Sequence, residues 1–518
     1  MGLLVLCITT CTGWAQEATR ANAVPEPSLN DSIRQLRAQI QQLQSAVREI
    51  KEEAENYRAE TQELKRELQT TRARLDLIAP AKPRDGATQA ASDTEPAIRS
   101  AGTPGVENRV ARLEEDQQLL DSKVTDQYQT KVESGSKYRV KLSGILLFNL
   151  FSNTGYVDHI EVPNIALATN PSIASSQTGG TFAATFRQSQ FGLAVYGPSV
   201  GGARTSADFV ADFFGEGTET VNGSAAGHLR LRTGTVRLDW AKTSVVGGLD
   251  NLFFSPNYPT SFASLGIPAL SYSGNLWGWL PQLRVEHRFS ISDRSTLTLS
   301  GGLFDPLTGE SPGNEFLRLP GAGESSRQPG YAARLEWSRL VSGQPLAIGF
   351  GGYYNRENWG FERNVDGWVA TTDWNVPLGQ RFAISGKFYA GRAIGGLGAG
   401  VGRSVVFDGN LNDPATRLQS LRSIGGWAQL KYKANSKLEF NAAAGQDGAF
   451  ADDVRGFTLA PGYFPANLTQ NRSEFANFIY KPRSNLLFST EFRTLRTFAV
   501  DGTSERANQL NLMMGVLF

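Results

Sequence analysis

Two hydrophobic periods divide the chain. Over 28–78 the apolar residues recur at alternating spacings of three and four, with Ile33, Ile40, Val47, Ala54, Thr61, Leu68 and Leu75 at a, and Leu36, Leu43, Ile50, Tyr57, Leu64 and Ile78 at d. Glu, Lys, Arg and Gln flank this seam, so the pattern predicts an α-helical coiled coil, a rod of roughly 75 Å. A lone amphipathic helix has nowhere to bury so narrow a stripe, and partner helices are therefore implied. Residues 79–105 lose all periodicity and are rich in Pro, Ala, Gly and Ser, as a linker is. A second, short heptad stretch over 106–128 places Val106, Val110, Leu113, Leu120 and Val124 on a seam, with Gln117 among them. A polar residue there fixes oligomeric state, and "RVARLE" (Arg109 to Glu114) resembles a short motif of three-stranded coils.

From residue 137 to 518 the period becomes two. In "LRVEHRFSI", Leu283, Val285, His287, Phe289 and Ile291 share one face and Arg284, Glu286, Arg288 and Ser290 the other. Leu335 and Trp337 alternate with Arg334 and Glu336, and Phe382, Ile384 and Phe388 with Lys387 and Tyr389. Ten-residue segments with aromatics on one face and charges on the other predict an all-β transmembrane barrel of antiparallel strands. A soluble sandwich has shorter strands and turns its polar face outwards. Sixteen strands fit, starting near residues 137, 184, 202, 228, 242, 282, 294, 330, 346, 366, 381, 424, 437, 473, 486 and 507. An even number returns both barrel ends to the periplasmic side. The last strand, "NQLNLMMGVLF", points Leu510, Leu512, Met514, Val516 and Phe518 one way, as a lipid-facing strand that must pair with the first to abolish free edges. Its aromatic end resembles the signal read by barrel-insertion machinery. The long aromatic stretch Asn251 to Pro281, the third outward loop in this order, is expected to fold back and narrow the lumen.

Composition fits this division. No run of about 18 apolar residues exists, which excludes a membrane-spanning helix and leaves a barrel open. The opening "MGLLVLCITTCTGWAQ" reads as a signal peptide over 1–15. It lacks a positively charged n-region, which points to a start further upstream. Cys7 and Cys11, the only cysteines, both lie in it, so the mature protein has no disulfide. A lipidated Cys11 is the alternative, which the residues before it fit poorly.

Residues 137–518 hold 8 Lys and 26 Arg against 29 acidic residues, a net +5, while the remainder is −4. Inward arginines grip carboxylates or phosphates bidentately, and rings of basic side chains select anions. The candidate pore-lining residues are Arg284, Arg288 and Glu286 after the third loop, then Arg230, Arg232, Arg237, Arg334, Lys387 and Arg493. Arg230 and Arg232 share a parity with the outward Val236, Leu238 and Trp240, so either a bulge intervenes or they lie above the bilayer.

No catalytic, cofactor or metal site is expected. His159, His228 and His287 lack ligand spacing, "GGLGAGVG" (Gly395 to Gly402) opens no helix and falls in an outward loop, and no Ser, His and Asp set can be assembled. Nothing reads as a nucleic-acid partner.

The order of signal peptide, coiled coil and barrel, with "KYRVKLSGILLFNLF", "FRQSQFGLAVYG", "SADFVADFFG", "LRLRTGTVRLDW", "VVGGLDNLFF" and "LPQLRVEH", resembles the DcaP-like trimeric outer-membrane porins. The resemblance implies a homotrimer of sixteen-stranded barrels passing small anionic solutes such as dicarboxylates. "LRLRTGTV" departs from the family pattern, which carries larger residues after the second arginine, and so leaves the solute open. Phosphate-selective porins share the layout. The expectation is a porin in the outer membrane of a Gram-negative-type bacterium, embedded in lipid and lipopolysaccharide, its coiled coil in the periplasm. The competing reading is a structural tether to peptidoglycan, which sixteen strands disfavour because they leave room for water.

Overall fold

The computed structural model describes residues 131–132, 139–168, 180–215, 227–310, 318–457 and 467–518. The expected signal peptide (1–15), coiled coils (28–78 and 106–128) and linker (79–105) lie outside these residues.

The main sheet of the described residues has 18 segments. Two are short, Lys131–Val132 and Thr181–Thr185, and the other sixteen make the wall. They are β1 (Arg139–Thr154), β2 (Gln190–Val200), β3 (Ala203–Gly215), β4 (His228–Asp239), β5 (Thr243–Asn251), β6 (Trp279–Ser292), β7 (Ser295–Phe304) and β8 (Gly330–Val341). The second half comprises β9 (Gln344–Asn358), β10 (Asn364–Leu378), β11 (Phe382–Arg392), β12 (Arg422–Lys433), β13 (Leu438–Ala449), β14 (Leu468–Arg483), β15 (Leu486–Ala499) and β16 (Ser504–Leu517). Every neighbouring pair is antiparallel. The wall closes where β16 pairs with β1, from Leu517 opposite Ile145 to Asn508 opposite Thr154. Phe518 and Gly144 then exchange backbone hydrogen bonds of 2.8 and 3.1 Å. Closure removes both sheet edges, which no spanning sheet can leave open in lipid.

The side-chain alternation sorts the wall into two faces. Leu283, Val285, Phe289, Ile291, Leu335, Phe350, Phe382, Phe388, Leu510, Leu512 and Met514 are exposed on the outside. Their inward neighbours Arg284, Arg334, Lys387, Glu491, Arg493 and Asn511 are buried. An apolar exterior around a polar interior suits a wall with lipid outside. The parity conflict on β4 resolves as a bulge: Val210 faces Thr233 while Ala211 faces Leu231, so Arg232 is the extra residue. The slip lets Leu231 and Val236 both stay outside and turns Arg230 and Arg232 inward.

One end of the wall has tight turns, such as Gly201–Gly202 between β2 and β3, and the other has long loops. The loop end is packed inwards. Leu252, Phe253, Phe254 and Leu276 of the loop between β5 and β6 form a core with Phe304, Tyr353 and Tyr389 of the wall and with Ile394, Leu397 and Ala399 of the loop between β11 and β12. Phe254 stacks on Tyr353 with centroids 5.3 Å apart, and Phe253 on Phe304 at 5.2 Å.

Candidate functional site

The loop between β5 and β6, residues 252–278, folds into the barrel and hydrogen-bonds to much of its inner surface. Starting on β11, Lys387 Nζ donates to the carbonyls of Ser255 (3.0 Å) and Leu276 (2.8 Å). Asn257 donates to Asp373 on β10 (3.2 Å), and Thr260 N–H to Gln429 on β12 (2.6 Å). The Ser261 hydroxyl donates to Glu491 on β15 at 2.6 Å. Gln188, just before β2, accepts from the N–H groups of Leu265 (2.7 Å) and Gly266 (3.0 Å). Asn471 on β14 donates to the Tyr272 carbonyl (3.0 Å) and Ser273 (2.8 Å). Contacts to strands on opposite arcs of the wall mean that the loop crosses the lumen and narrows it.

Two glycines permit the close approach. Gly274 has φ +93°, and a Cβ on it would lie 2.1 Å from the Gly426 carbonyl oxygen. A Cβ on Gly445 would lie 2.2 Å from the Ser273 carbonyl oxygen. Backbone meets backbone at both places, so nothing larger fits.

The nine residues singled out by sequence all face inward but fall into different environments. Arg230 makes a two-pronged bond to Asp212 (3.1 and 2.8 Å) and donates to the Gly266 carbonyl at 2.6 Å. Arg232 bonds Asp212 (3.1 Å) and the Leu265 carbonyl, and both guanidinium groups lie over the Trp279 ring. Arg284 is held by Asp250 and Glu286, each at 2.8 Å, and by Gln282. Arg237 joins Asp239 (2.8 Å) and the other oxygen of Glu286 (3.1 Å). Arg334 clamps Asp373 (2.7 Å) and Glu336 (2.5 Å). Arg493 pairs with Glu491 at 2.7 Å and donates to Ser264 and the Pro163 carbonyl. These six arginines, and Lys387 on its two carbonyls, are each held by at least two protein partners, although the buried Nε of Arg493 has none. Arg288 differs. Its side chain is 34 % exposed, 3.9 Å from Glu286, with one hydrogen bond, to Ser244 at 2.9 Å.

The structure thus brings Arg284, Glu286, Arg237 and Arg288 together in one sector and separates them from Arg334 and Lys387 in another. Arg288 and Arg237 converge with Arg204, Asp239 and Trp240 on a cavity of about 600 Å³ at the turn end of β3–β6. Arg204 was not among the nine. It shares its face with Arg237, since Arg204 sits opposite Asp239 and Ser206 opposite Arg237, and parity alone could have found it. Asp212, Asp373 and Glu491 were also missed, although each stands across from, or two residues from, a cation on the same face.

The "GGLGAGVG" stretch lies in the loop after β11, yet that loop packs inwards. Asp447 on β13 accepts from the N–H groups of Gly400 (3.2 Å) and Val401 (2.5 Å) and from the Tyr389 hydroxyl. Its glycines serve close packing: a Cβ on Gly395 would lie 2.2 Å from the Arg403 carbonyl carbon. The loop after β1 also turns in, through a hairpin of Tyr156–Val157 on Ala166–Leu167. There Asp158 accepts from the N–H groups of Asn164 (2.9 Å) and Ile165 (3.0 Å). Burial pushes its carboxyl up to about 6 against the pull of those bonds.

The chain is similar in structure to the outer-membrane channel DcaP of Acinetobacter baumannii, at 17% identity and a TM-score of 0.55, over 74% of this chain and 99% of that one. The anion-selective porin from Comamonas acidovorans aligns over 74% of this chain and 100% of its own, at 11% identity and a TM-score of 0.46. No family model and no curated protein matches the sequence. At such identity, the likeness to the DcaP channel shows a shared fold.

Proposed function

We propose that the protein is an outer-membrane porin, a passive diffusion channel for small hydrophilic solutes that prefers anions such as short dicarboxylates, and that it assembles as a homotrimer. Sixteen strands enclose enough room for water, and a loop that crosses the lumen would set a size limit on what passes. The observation that carries the anion preference is the cavity at the turn end of β3–β6, lined by Arg204, Arg237 and Arg288 against Asp239 alone, where Arg288 has only a 3.9 Å contact to a Glu286 already bonded by Arg237 and Arg284. Exposed guanidinium groups there raise the local anion concentration and offer a bidentate grip to a passing carboxylate.

The test is a reversal potential across a planar bilayer under a salt gradient, for the wild type and for Arg204→Gln with Arg288→Gln. The wild type is expected on the anion side and the double variant shifted towards cations. A wild type on the cation side, or a variant indistinguishable from it, overturns the preference. Absence of any conductance overturns the channel and leaves the tether. Cross-linking in detergent that yields no species above a dimer overturns the trimer.

A further inference from the structure

Two outward-facing arginines at the loop end of the wall have carboxylates. Arg356 lies 3.7 Å from Asp366, and Arg422 2.7 Å from Asp453. Three others do not. Arg472 on β14 stands opposite Arg496 on β15, and Arg496 opposite Arg506 on β16, so three guanidinium side chains form one continuous cross-strand row. All three are exposed, and none forms an ion pair among the described residues. The loop segments 169–179 and 458–466, which precede Thr181–Thr185 and β14, contain no Asp or Glu. Glu474 is the closest carboxylate along that face, one row deeper and opposite Thr494.

Like charges directly opposed across strands repel, and here two such pairs follow one another. Two of the three side chains are nonetheless held in place. Arg472 and Arg496 both lie over the Phe498 ring, at 5.3 and 4.8 Å, and Arg496 donates from Nε (3.2 Å) and Nη2 (3.1 Å) to the Ser504 hydroxyl. The row thus presents three exposed guanidinium groups with no ion-pair partner among the described residues.

Height identifies the anion's carrier. From Phe518 to Arg506, β16 climbs roughly 30 Å once strand tilt is allowed for, against an apolar band of about 25 Å. Outward residues Leu510 to Val516 are apolar below the row. The arginines therefore stand at the headgroup level of the leaflet on the loop side. Asp366 and Asp453 are engaged by Arg356 and Arg422, while the exposed loop carboxylates of a second copy, such as Glu362 and Asp413, are the rival occupant that the experiment separates.

We propose that Arg472, Arg496 and Arg506 bind the phosphate of a lipid anchored in that leaflet, a phosphorylated glycolipid of the class that fills the outer leaflet of a bacterial outer membrane. Three planar guanidinium groups in register share the phosphate oxygens through paired N–H donors, as arginine does with phosphate generally. The proposal rests on the outer-membrane placement above, not on the channel activity.

The experiment is native mass spectrometry of the full-length protein in detergent, titrated with diphosphorylated lipid A, its dephosphorylated form, and sodium phosphate. Wild type is expected to retain diphosphorylated lipid A at least tenfold more tightly than Arg472→Gln/Arg496→Gln/Arg506→Gln. The dephosphorylated form should bind both proteins equally weakly, and sodium phosphate should not compete at matched concentration. Should the triple variant fail to fold, judged by heat-modifiable migration on gels, Arg496→Gln alone should weaken retention about threefold. Equal retention by wild type and variant, equal binding of the dephosphorylated lipid, or one-for-one displacement by sodium phosphate overturns the proposal. So does loss of oligomers in the variant without a change in lipid binding, which assigns the row to contacts between copies. Conductance recorded on the same samples separates the two readings: a silent wild type that still discriminates the lipids removes the channel and keeps this site.

Discussion

On β10, β11 and β15 the inward charges are enclosed: Lys387 and Arg493 are each 1% exposed, and Asp373 and Glu491 are 2% and 1%. At the turn end of β3 and β6 inward arginines stand open, with Arg288 34% exposed and Arg204 exposed beside it. Both groups obey the same alternation and lie on the same inner face. The difference is the loop 252–278 and the inward-turned loops after β1 and β11, which cover one sector and leave the turn end of the other uncovered. Covered cations hold the loop in place, and uncovered ones set the field in the water. Charge facing a lumen is thus no measure of selectivity until its partners are known.

The largest effect is expected where the enclosed sector is broken at its acid. Glu491 receives bonds from Arg493, Ser261 and Asn477. Glu491→Gln leaves a buried guanidinium without its countercharge, a change that costs about 3–5 kcal/mol. Thermal unfolding followed by heat-modifiable gel migration should show a marked fall in transition temperature. A shift within 1 °C of wild type would mean that Arg493 is satisfied by loop carbonyls alone.

Next is a pH effect in the hairpin that covers this sector. Burial raises the Asp158 carboxyl from about 3.8 to about 6, so the folded hairpin binds the proton more tightly than the unfolded chain. Its contribution is fully present below about pH 4 and lost as pH rises through 6, by roughly 3 kcal/mol at most. Limited proteolysis of the loop should therefore speed up between pH 4.5 and 7, and Asp158→Asn should flatten that dependence. Cleavage rates equally pH-dependent in the variant would assign the effect elsewhere.

The loop itself hangs on Lys387. Lys387→Met keeps the stem and leaves the Ser255 and Leu276 carbonyls without their donor, at about 1–3 kcal/mol for each buried group left unsatisfied. Because the loss falls on the loop, single-channel conductance should rise or become noisier while the barrel still folds. Unaltered conductance would show that Gly274 and the other contacts suffice to hold the loop.

Strand number and face were legible in sequence because lipid and water impose opposite demands on alternate residues over the whole wall. The expected starts at 228, 330 and 486 coincide with the first residues of β4, β8 and β15. The start expected near 184 fell inside the short segment Thr181–Thr185, ahead of β2, because the loop residues Gln188 and Ser189 turn inwards and break the alternation. Partners were not legible. Arg284 and Arg288 have the same parity, type and neighbours, and only the fold puts Asp250 and Gln282 on the first and the cavity beside the second. The row Arg472, Arg496 and Arg506 is invisible to any single strand, since it exists only through the register of three.

The smallest effect on the fold, and the sharpest contrast, lies within β6. Arg284→Gln strips Asp250 and one oxygen of Glu286 of a charged donor, and charge-assisted bonds of this kind are worth about 1.5–3 kcal/mol each. Arg288→Gln forfeits one hydrogen bond to Ser244 at a partly exposed site, so its stability should stay within about 0.5 kcal/mol of wild type. Removing either charge moves the reversal potential towards cations, so selectivity alone does not separate them. Melting does. The structural assignment predicts one variant that loses both stability and anion preference and one that loses only preference, with the Arg288 effect fading at high salt because its charge is screened by solvent. If Arg288→Gln unfolds as readily as Arg284→Gln, the open sector is as sealed as the other, and the anion preference must be sought at another point along the lumen.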